Sequence, residues 1–217
     1  MNTTSNQTPT ATKIVLLVRH AKTDFNILGV QGRFCGSSNP KLNDQGVTQA
    51  ERTGDALVHE GIKTIMASPL QRARATAEII GHRLGINVVV DERLQEIDYG
   101  SWEGLTKEEI QKKFPAEWEA FSNDPIHSIP PGGEAPSEVL GRMKNLIYAL
   151  DDDVTLLVGH KTAFRLLLCE ITGRPLEEYR SFSDLHLSSI TKLLIAERPQ
   201  IITIDDRSHL IDKAPAL

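Results

Sequence analysis

Short apolar runs that alternate with amphipathic helical patterns constrain the fold of this chain more than any other feature. The run Lys13–Val18 consists mostly of β-branched and leucine residues, which is typical of a strand buried on both faces. Five further short runs are predicted as strands: Thr64–Ala67, Asn87–Val90, Val154–Val158, Ser189–Ile195 and Ile201–Ile204. The alternation predicts an α/β protein, a three-layer α/β/α sandwich with a mostly parallel sheet. Such sheets bind ligands beyond the carboxyl ends of their strands.

Helices are predicted between these strands from their apolar stripes, over Asp44–His59, Leu70–Leu84 and Pro136–Leu150. The stripe predicted for the first helix consists of Val47, Ala50, Gly54, Leu57 and Val58. Because no linker divides the 217 residues, we predict a single domain over 13–217. A disordered leader is predicted over 1–12, and the loop-rich stretch around 106–136 is predicted as a lid or insertion.

Charge and cysteine content exclude several classes of function. The formal net charge is −5, so neither nucleic acid nor an anionic membrane is an expected partner, and any anion site must be local. Cys35 and Cys169 are too few for a disulfide framework and lack metal-ligand spacing, which favours free thiols in a reducing compartment. The sequence has no signal-peptide pattern and no apolar run approaching a membrane span, and we expect a cytoplasmic location.

Two histidines directly follow predicted strands. Arg19 and His20 end the first apolar run, and His160 follows the run Val154–Val158 just before a predicted helix. An isolated Arg-His pair is weak support for a site, and a structural histidine in the core is an alternative at either position. Two imidazoles at equivalent strand ends nevertheless indicate function, because this is the crevice in which such sheets bind ligands.

A guanidinium and a carboxylate complete the candidate site. Arg72 lies in the first turn of a predicted helix, where backbone N–H groups and the helix dipole already favour an anion. Its guanidinium adds the geometry for bidentate binding of phosphate. Glu96 lies in a short loop-like segment with Asp98 and Glu103 nearby, and any one of these carboxylates could be merely solvated.

Four sequence blocks resemble, in order, the motif blocks of the histidine phosphatase superfamily, also called the phosphoglycerate mutase-like family. The blocks are RHAKT, SPLQRARATA, LQEIDYGSWEG and LLVGHKTAFR, and they span nearly the whole chain after the leader. The resemblance implies that His20 is the nucleophile and that His160 completes its pocket. It also implies that Arg19 and Arg72 bind the phosphate.

The same resemblance implies that Glu96, rather than Asp98 or Glu103, is the proton donor, and it places Asn26 near the phosphate. The implied activity is hydrolysis of a small phosphomonoester, a phosphorylated metabolite, through a phosphohistidine on His20. Glu96, when protonated, would donate to the leaving alkoxide and then accept a proton from the attacking water. No metal or other cofactor is predicted, since arginines and imidazoles offset the charge of the phosphoryl oxygens.

Two alternative functions stay open. A cofactor-dependent phosphoglycerate mutase would use the same residues, but mutases resembling this family generally carry a longer, basic insertion after the glutamate block. Here the stretch 106–136 is short and contains Lys107, Lys112 and Lys113 but no arginine, which favours hydrolysis. The second alternative is a non-catalytic module that binds a phospholigand or a protein.

Three residues depart from the family pattern. Ala21 stands where the family usually has glycine, which is harmless if the backbone φ there is negative. Lys22 and Lys161 are added cations that could bind a second anionic group of the substrate, lower the basicity of His20, or be merely solvated. The other histidines are predicted to have surface or core roles, because they match no metal-ligand spacing: His59, His82, His127, His186 and His209. A homodimer is possible, although no apolar stripe demands one.

Overall fold

The computed structural model describes residues 12–26, 32–151, 153–182 and 185–211. Residues 1–11 of the predicted leader lie outside the described residues. The strands are β1 (Lys13–Arg19), β2 (Thr64–Ala67), β3 (Val88–Val90), β4 (Val154–Gly159), β5 (Ile190–Ile195) and β6 (Gln200–Asp206). The α-helices of the described part are α1 (Asp44–Leu57), α2 (Gln71–Leu84), α3 (Lys107–Lys113), α4 (Pro115–Asn123), α5 (Pro136–Tyr148) and α6 (Lys161–Thr172).

The six strands of the described residues form one sheet in the order β3-β2-β4-β1-β5-β6. The first four of these are mutually parallel, whereas β5 is antiparallel to β1 and β6 is antiparallel to β5. Parallel neighbours need long crossovers, which the intervening helices supply, while the short connection between β5 and β6 permits only a hairpin. The mostly parallel sheet predicted from the sequence is therefore confirmed.

Side chains of β1 alternate between two hydrophobic clusters, one on each face of the sheet. Val15 and Leu17 pack into the cluster that contains the buried faces of α5 and α6. Leu16 and Val18 pack into the cluster that contains residues of α1 and α2. Helices thus cover both faces of the sheet, which confirms the three-layer sandwich and explains why the β1 sequence is continuously apolar.

The predicted apolar stripe of α1 is wrong at two positions. Val47 and Val58 are 38% and 48% exposed, while Gly46 and Thr53 are buried instead. Thr53 is accommodated because its hydroxyl bonds the carbonyl of Gln49 at 2.8 Å. Gly46 lies against the backbone of Lys22, where an added Cβ would come within 2.1 Å of the Lys22 carbonyl oxygen. Close packing onto this backbone thus explains why Gly46 is buried, whereas Ala50 and Leu57 of the predicted stripe are buried as expected.

Residues 106–136 contain α3 and α4, which pack over a small aromatic cluster. Trp102, Ile110 and Phe121 form its buried centre, and the Trp102 and Phe121 rings meet edge to face with centroids 5.0 Å apart. The ring of Phe34 also packs against this cluster, with its centroid 5.7 Å from that of Trp102. The lid or insertion role of this segment stays a prediction. Among the helices of the described residues, none is long and apolar enough to cross a bilayer.

Candidate active site

The carboxyl ends of β1 and β4 bring the two predicted histidines together. Arg19 pairs with Gly159 in the parallel ladder, and the amide of His20 donates to the Gly159 carbonyl at 2.9 Å. His20 directly follows β1 and His160 directly follows β4. The centroids of the two imidazole rings lie 5.3 Å apart. Adjacent parallel strands therefore deliver two imidazoles to one place, as the sequence pattern predicts.

The tautomer of neutral His20 follows from its hydrogen bond. Its Nδ1 lies 2.9 Å from the carbonyl oxygen of Ala21, which can only accept, so Nδ1 carries the proton. Nε2 then presents its lone pair. The side chain is buried, with 6% exposure, and it lines a cleft at this edge of the sheet. The backbone of Ala21 does not have a positive φ, so its methyl group is compatible with the loop.

Burial holds both imidazoles neutral. Desolvation lowers the pKa of His20 well below 6.5, and the positive charges of Arg19 and Arg72 lower it further. Lys161 contributes a smaller lowering of the same pKa, so this lysine has one of the effects predicted for it. Desolvation likewise lowers the pKa of His160 well below 6.5, followed by the charge of Arg72. At neutral pH the lone pair of the His20 Nε2 is therefore available.

His160 is fully buried and is oriented by a residue that the sequence reasoning missed. Its Nε2 lies 2.9 Å from the hydroxyl of Ser68, which in turn accepts from the amide of Leu70 at 3.3 Å. In the tautomer in which Ser68 donates its proton to Nε2, the imidazole proton lies on Nδ1. Nδ1 is buried and has no hydrogen-bond partner among the described residues. A buried ring nitrogen without a partner is costly, and in this tautomer its N–H group suits a bound anion.

Both predicted arginines are held by backbone carbonyls. Arg72 is 1% exposed and donates to the carbonyls of Ser38 at 2.5 Å and Gly36 at 2.9 Å. Arg19 donates to the carbonyl of Leu185 at 2.7 Å. These bonds fix the guanidinium planes before any ligand arrives, so that little side-chain entropy is lost on binding.

Glu103 positions the loop that holds Arg72. Its carboxylate accepts from the amides of Gly36, Ser37 and Ser38 at 2.9 to 3.0 Å. Gly36 is required there, because an added Cβ would lie 1.9 Å from the carbonyl oxygen of Ile97. In the sequence, Glu103 was only one of three nearby carboxylates, and its contacts across more than sixty residues gave no local signal. The structure assigns it to loop positioning.

Glu96 lies at the N-terminus of α6 and faces the cleft. Oε1 accepts from the amides of Ile97 and Ala163, and Oε2 accepts from the amide of Thr162, each at 3.0 Å. Three of about four lone-pair positions are thereby filled, which leaves one on Oε2 for a proton. Asp98 instead accepts from the amide of Gly100 at 2.7 Å. Of the three carboxylates considered, Glu96 is the one on the cleft wall.

The cleft has a volume of about 1300 Å³ and is rich in cations. Among the described residues, six lysine or arginine side chains and three acidic side chains line it, a local excess of three positive charges in a chain of net charge −5. Such a local excess of positive charge is what an anion site needs in a chain of negative net charge. All the predicted site residues except His160 line the cleft: Arg19, His20, Lys22, Asn26, Arg72, Glu96 and Lys161.

The remaining predicted ligand residues have partners of their own. The side-chain oxygen of Asn26 accepts from the amide of Thr23 at 3.2 Å and from its hydroxyl at 2.9 Å. The ammonium group of Lys22 donates to the Gln45 side chain at 2.6 Å. Within the part of the chain that the structure describes, no three His, Cys, Asp or Glu side chains form a group that could hold a metal ion.

The neutral buried histidines predict a loss of stability in mild acid. The unfolded chain binds protons at these sites below about pH 6.5, whereas the folded chain resists them until the pH is well below that value. The free energy of unfolding should therefore fall as pH decreases below 6.5, by up to about 1.4 kcal/mol per pH unit for each histidine. Urea unfolding between pH 7.5 and 5.5 measures this slope. His20→Gln should reduce it, while the exposed His59→Gln should not. An equal slope in all three proteins would contradict the assignment.

A parallel α/β sheet that presents two imidazoles, two guanidiniums and a carboxylate at one edge defines a phosphate-handling α/β protein. Residues 15–204 match the histidine phosphatase superfamily (branch 1), and the chain belongs to this family. The family resemblance noted from the four motif blocks is thereby confirmed.

The chain is similar in sequence to proteins whose names describe different activities. The chain is 28% identical over 200 residues to phosphoserine phosphatase 1 of Hydrogenobacter thermophilus, covering 90% of this chain and 93% of that protein. It is 31% identical over 210 residues to the probable phosphoglycerate mutase GpmB of Erwinia tasmaniensis, covering 92% and 96%. Three mycobacterial relatives are longer, and their matches span 43% of their length at 36% identity.

A solved structure shows the same fold. Mycobacterial glucosyl-3-phosphoglycerate phosphatase Rv2419c, solved in complex with VO3, superimposes with a TM-score of 0.77 at 26% identity, covering 89% of this chain and 99% of that chain. The relatives thus include phosphatases and mutase-like proteins, and the phosphatases among them support a hydrolase of phosphoesters.

Proposed function

We propose that this protein is a phosphatase that hydrolyses a small phosphomonoester through a phosphohistidine on His20. The observation that carries the proposal is the hydrogen bond from His20 Nδ1 to the Ala21 carbonyl, which leaves Nε2 as a free nucleophile in a cationic cleft. The lowered pKa of His20 keeps this nitrogen unprotonated at neutral pH. A histidine with a merely structural role would not need this combination.

In the first step, Nε2 of His20 forms a bond to phosphorus while the bond between phosphorus and the ester oxygen breaks. Glu96 gives its proton to the departing alkoxide. In the second step, water attacks the phosphohistidine, Glu96 takes a proton from that water, and the N–P bond breaks to release phosphate. Neutral His20 and protonated Glu96 are restored, so that each cycle consumes one water molecule.

Charge on the phosphoryl oxygens is offset by groups that are already in place. Arg19 and Arg72 are fixed by backbone carbonyls. The buried Nδ1 of His160 has no partner among the described residues, and we assign it as a further donor to the phosphoryl group. Because these donors are ordered before the substrate binds, they stabilise the transition state without reorganisation. We propose that no metal ion is required, since phosphoryl transfer depends mainly on positioning and charge stabilisation.

Two observations favour hydrolysis over the mutase reaction. The segment 106–136 contains no arginine, and α3 and α4 pack on their own aromatic cluster. Relatives named as phosphatases act on phosphoserine and on glucosyl-3-phosphoglycerate. Both names describe phosphoesters that also carry a carboxylate, which makes a small carboxylated phosphomonoester the substrate class of first choice.

One set of assays tests the proposal. The purified protein is incubated with p-nitrophenyl phosphate, and separately with 3-phosphoglycerate plus its bisphosphate, with and without EDTA. We expect phosphate release from both monoesters, little 2-phosphoglycerate, and no effect of EDTA. Rapid formation of 2-phosphoglycerate would favour the mutase, loss of turnover with EDTA would contradict metal independence, and inertness would favour a binding module.

A further inference from the structure

A second polar cluster lines the same cleft and takes no part in the proposed chemistry. It consists of His186, Asp205 and Arg207, and we name it the rim cluster. We infer that the rim cluster is a subsite for a carboxylate group of the substrate, next to the phosphate pocket. This inference rests on the proposed phosphatase function and specifies its substrate class.

Asp205 joins the other two members of the rim cluster. One carboxylate oxygen accepts from the amide of His186 and the other from its Nδ1, both at 2.7 Å. The Nε of Arg207 lies 3.6 Å from the second oxygen. The Asp205 side chain is only 10% exposed, whereas those of His186 and Arg207 are 45% and 49% exposed. Asp205 is thus largely covered, whereas the side chains of His186 and Arg207 are about half exposed on the cleft wall.

The donors left by these contacts suit a carboxylate. The ion pair with Asp205 uses the Nε of the Arg207 guanidinium, so its terminal amino groups have the planar geometry for bidentate binding of a carboxylate. Nδ1 of His186 is bonded to Asp205, which fixes the orientation of the ring at the wall of the cleft. Asp206 also lines the cleft, but its carboxylate accepts from the amide of Ser208 at 2.9 Å.

Backbone strain is concentrated at this cluster. Among the described residues other than glycine, only Ser188 and Asp205 have a positive φ, at 58° and 54°. The pairing of β5 with β6 is irregular here, with register shifts on both sides of Lys192. The amide of Asp205 is held by the hydroxyl of Thr191 at 3.1 Å. Residues other than glycine persist in this conformation where the surrounding structure fixes them, and they cluster at ligand sites.

The rim cluster is connected by hydrogen bonds to Arg19, one of the two arginines assigned to the phosphate. The segment 185–188 is bonded to Arg19 at both ends: Arg19 donates to the carbonyl of Leu185 at 2.7 Å, and the amide of Ser188 donates to the carbonyl of Arg19 at 3.0 Å. His186 is the residue next to Leu185. A substrate whose phosphate binds Arg19 therefore lies in the same cleft as this cluster, on the side of the segment 185–188.

The test compares two phosphate esters that differ only in whether they carry a carboxylate. 3-Phosphoglycerate has a carboxylate where glycerol 3-phosphate has a hydroxymethyl group. We expect the wild-type protein to prefer 3-phosphoglycerate. Arg207→Gln should lower the ratio of kcat/KM for 3-phosphoglycerate to that for glycerol 3-phosphate by about 10- to 100-fold, mainly through KM. His186→Ala should lower the same ratio.

The control is Arg198→Gln, an exposed arginine between β5 and β6 that is not on the cleft wall. It should leave the ratio unchanged. Equal losses on both esters in Arg207→Gln, or a wild-type protein that hydrolyses both equally well, would overturn the subsite while leaving the phosphatase proposal intact. Absence of all phosphate release by the wild-type protein would overturn the proposed function, and the subsite with it.

Discussion

His20→Ala is expected to lower phosphatase turnover by on the order of 10⁶-fold, since removing the nucleophile of a covalent mechanism removes the whole route. The residual rate would come only from binding and from the charge stabilisation provided by Arg19 and Arg72. The measurement is kcat/KM for p-nitrophenyl phosphate. The control variant is His59→Ala, which removes an exposed histidine and should leave kcat/KM unchanged.

A trapping experiment makes this prediction specific to the covalent step. Wild-type protein mixed with substrate and quenched in base should retain one acid-labile phosphoryl group, detected by intact mass. His20→Ala should retain none, whereas His59→Ala should behave like the wild type. Substantial turnover by His20→Ala, or a phosphoryl group on another residue, would refute the role of His20.

Glu96→Gln is expected to have the second-largest effect, a loss of about 10²- to 10⁴-fold in the hydrolysis of an alkyl phosphate. Glutamine keeps an oxygen that can accept from the amides of Ile97 and Ala163, so the start of α6 remains largely bonded. It cannot exchange a proton with the leaving group or with water. The thermal unfolding temperature serves as the check on folding.

The leaving group separates the two steps assigned to Glu96. p-Nitrophenolate departs without a proton, so Glu96→Gln should still be phosphorylated by this ester but should hydrolyse the phosphohistidine slowly. A burst of p-nitrophenol followed by a slow phase is the expected result. Asp98→Asn is the matched control, because this nearby carboxylate lies off the cleft wall. Equal losses in both variants, or no burst, would count against Glu96 as the acid and base.

Much of the fold could be predicted from the sequence because its signals are local. The apolar runs located all six strands to within a few residues, and the continuously apolar β1 indicated a sheet covered on both faces. His20 and His160 could be found because strand ends in parallel sheets converge. The predicted stripe of α1 was wrong, however, at Val47, which is exposed, and at Val58, which is exposed and follows the end of the helix.

The residues that organise the site could not be predicted in the same way. Ser68 orients His160, Glu103 holds the 36–38 loop, and Asp205 joins the rim cluster. Each acts through a contact between segments that are distant in sequence, and none has a composition or spacing that marks it. His186 was predicted to have a surface or core role for the same reason. Long-range hydrogen bonds of this kind depend on how loops pack, which hydrophobic periodicity does not report.

The register between β1 and β4 has a consequence for how proteins of this shape can diversify. Because Arg19 lies opposite Gly159, the separation of the two imidazoles is determined by the spacing between neighbouring strands, about 4.8 Å, and not by any loop. Insertions or deletions in the connecting segments leave that separation untouched. The spacing of the two imidazoles is therefore encoded in the sheet, and loops elsewhere on the cleft wall can change without altering it.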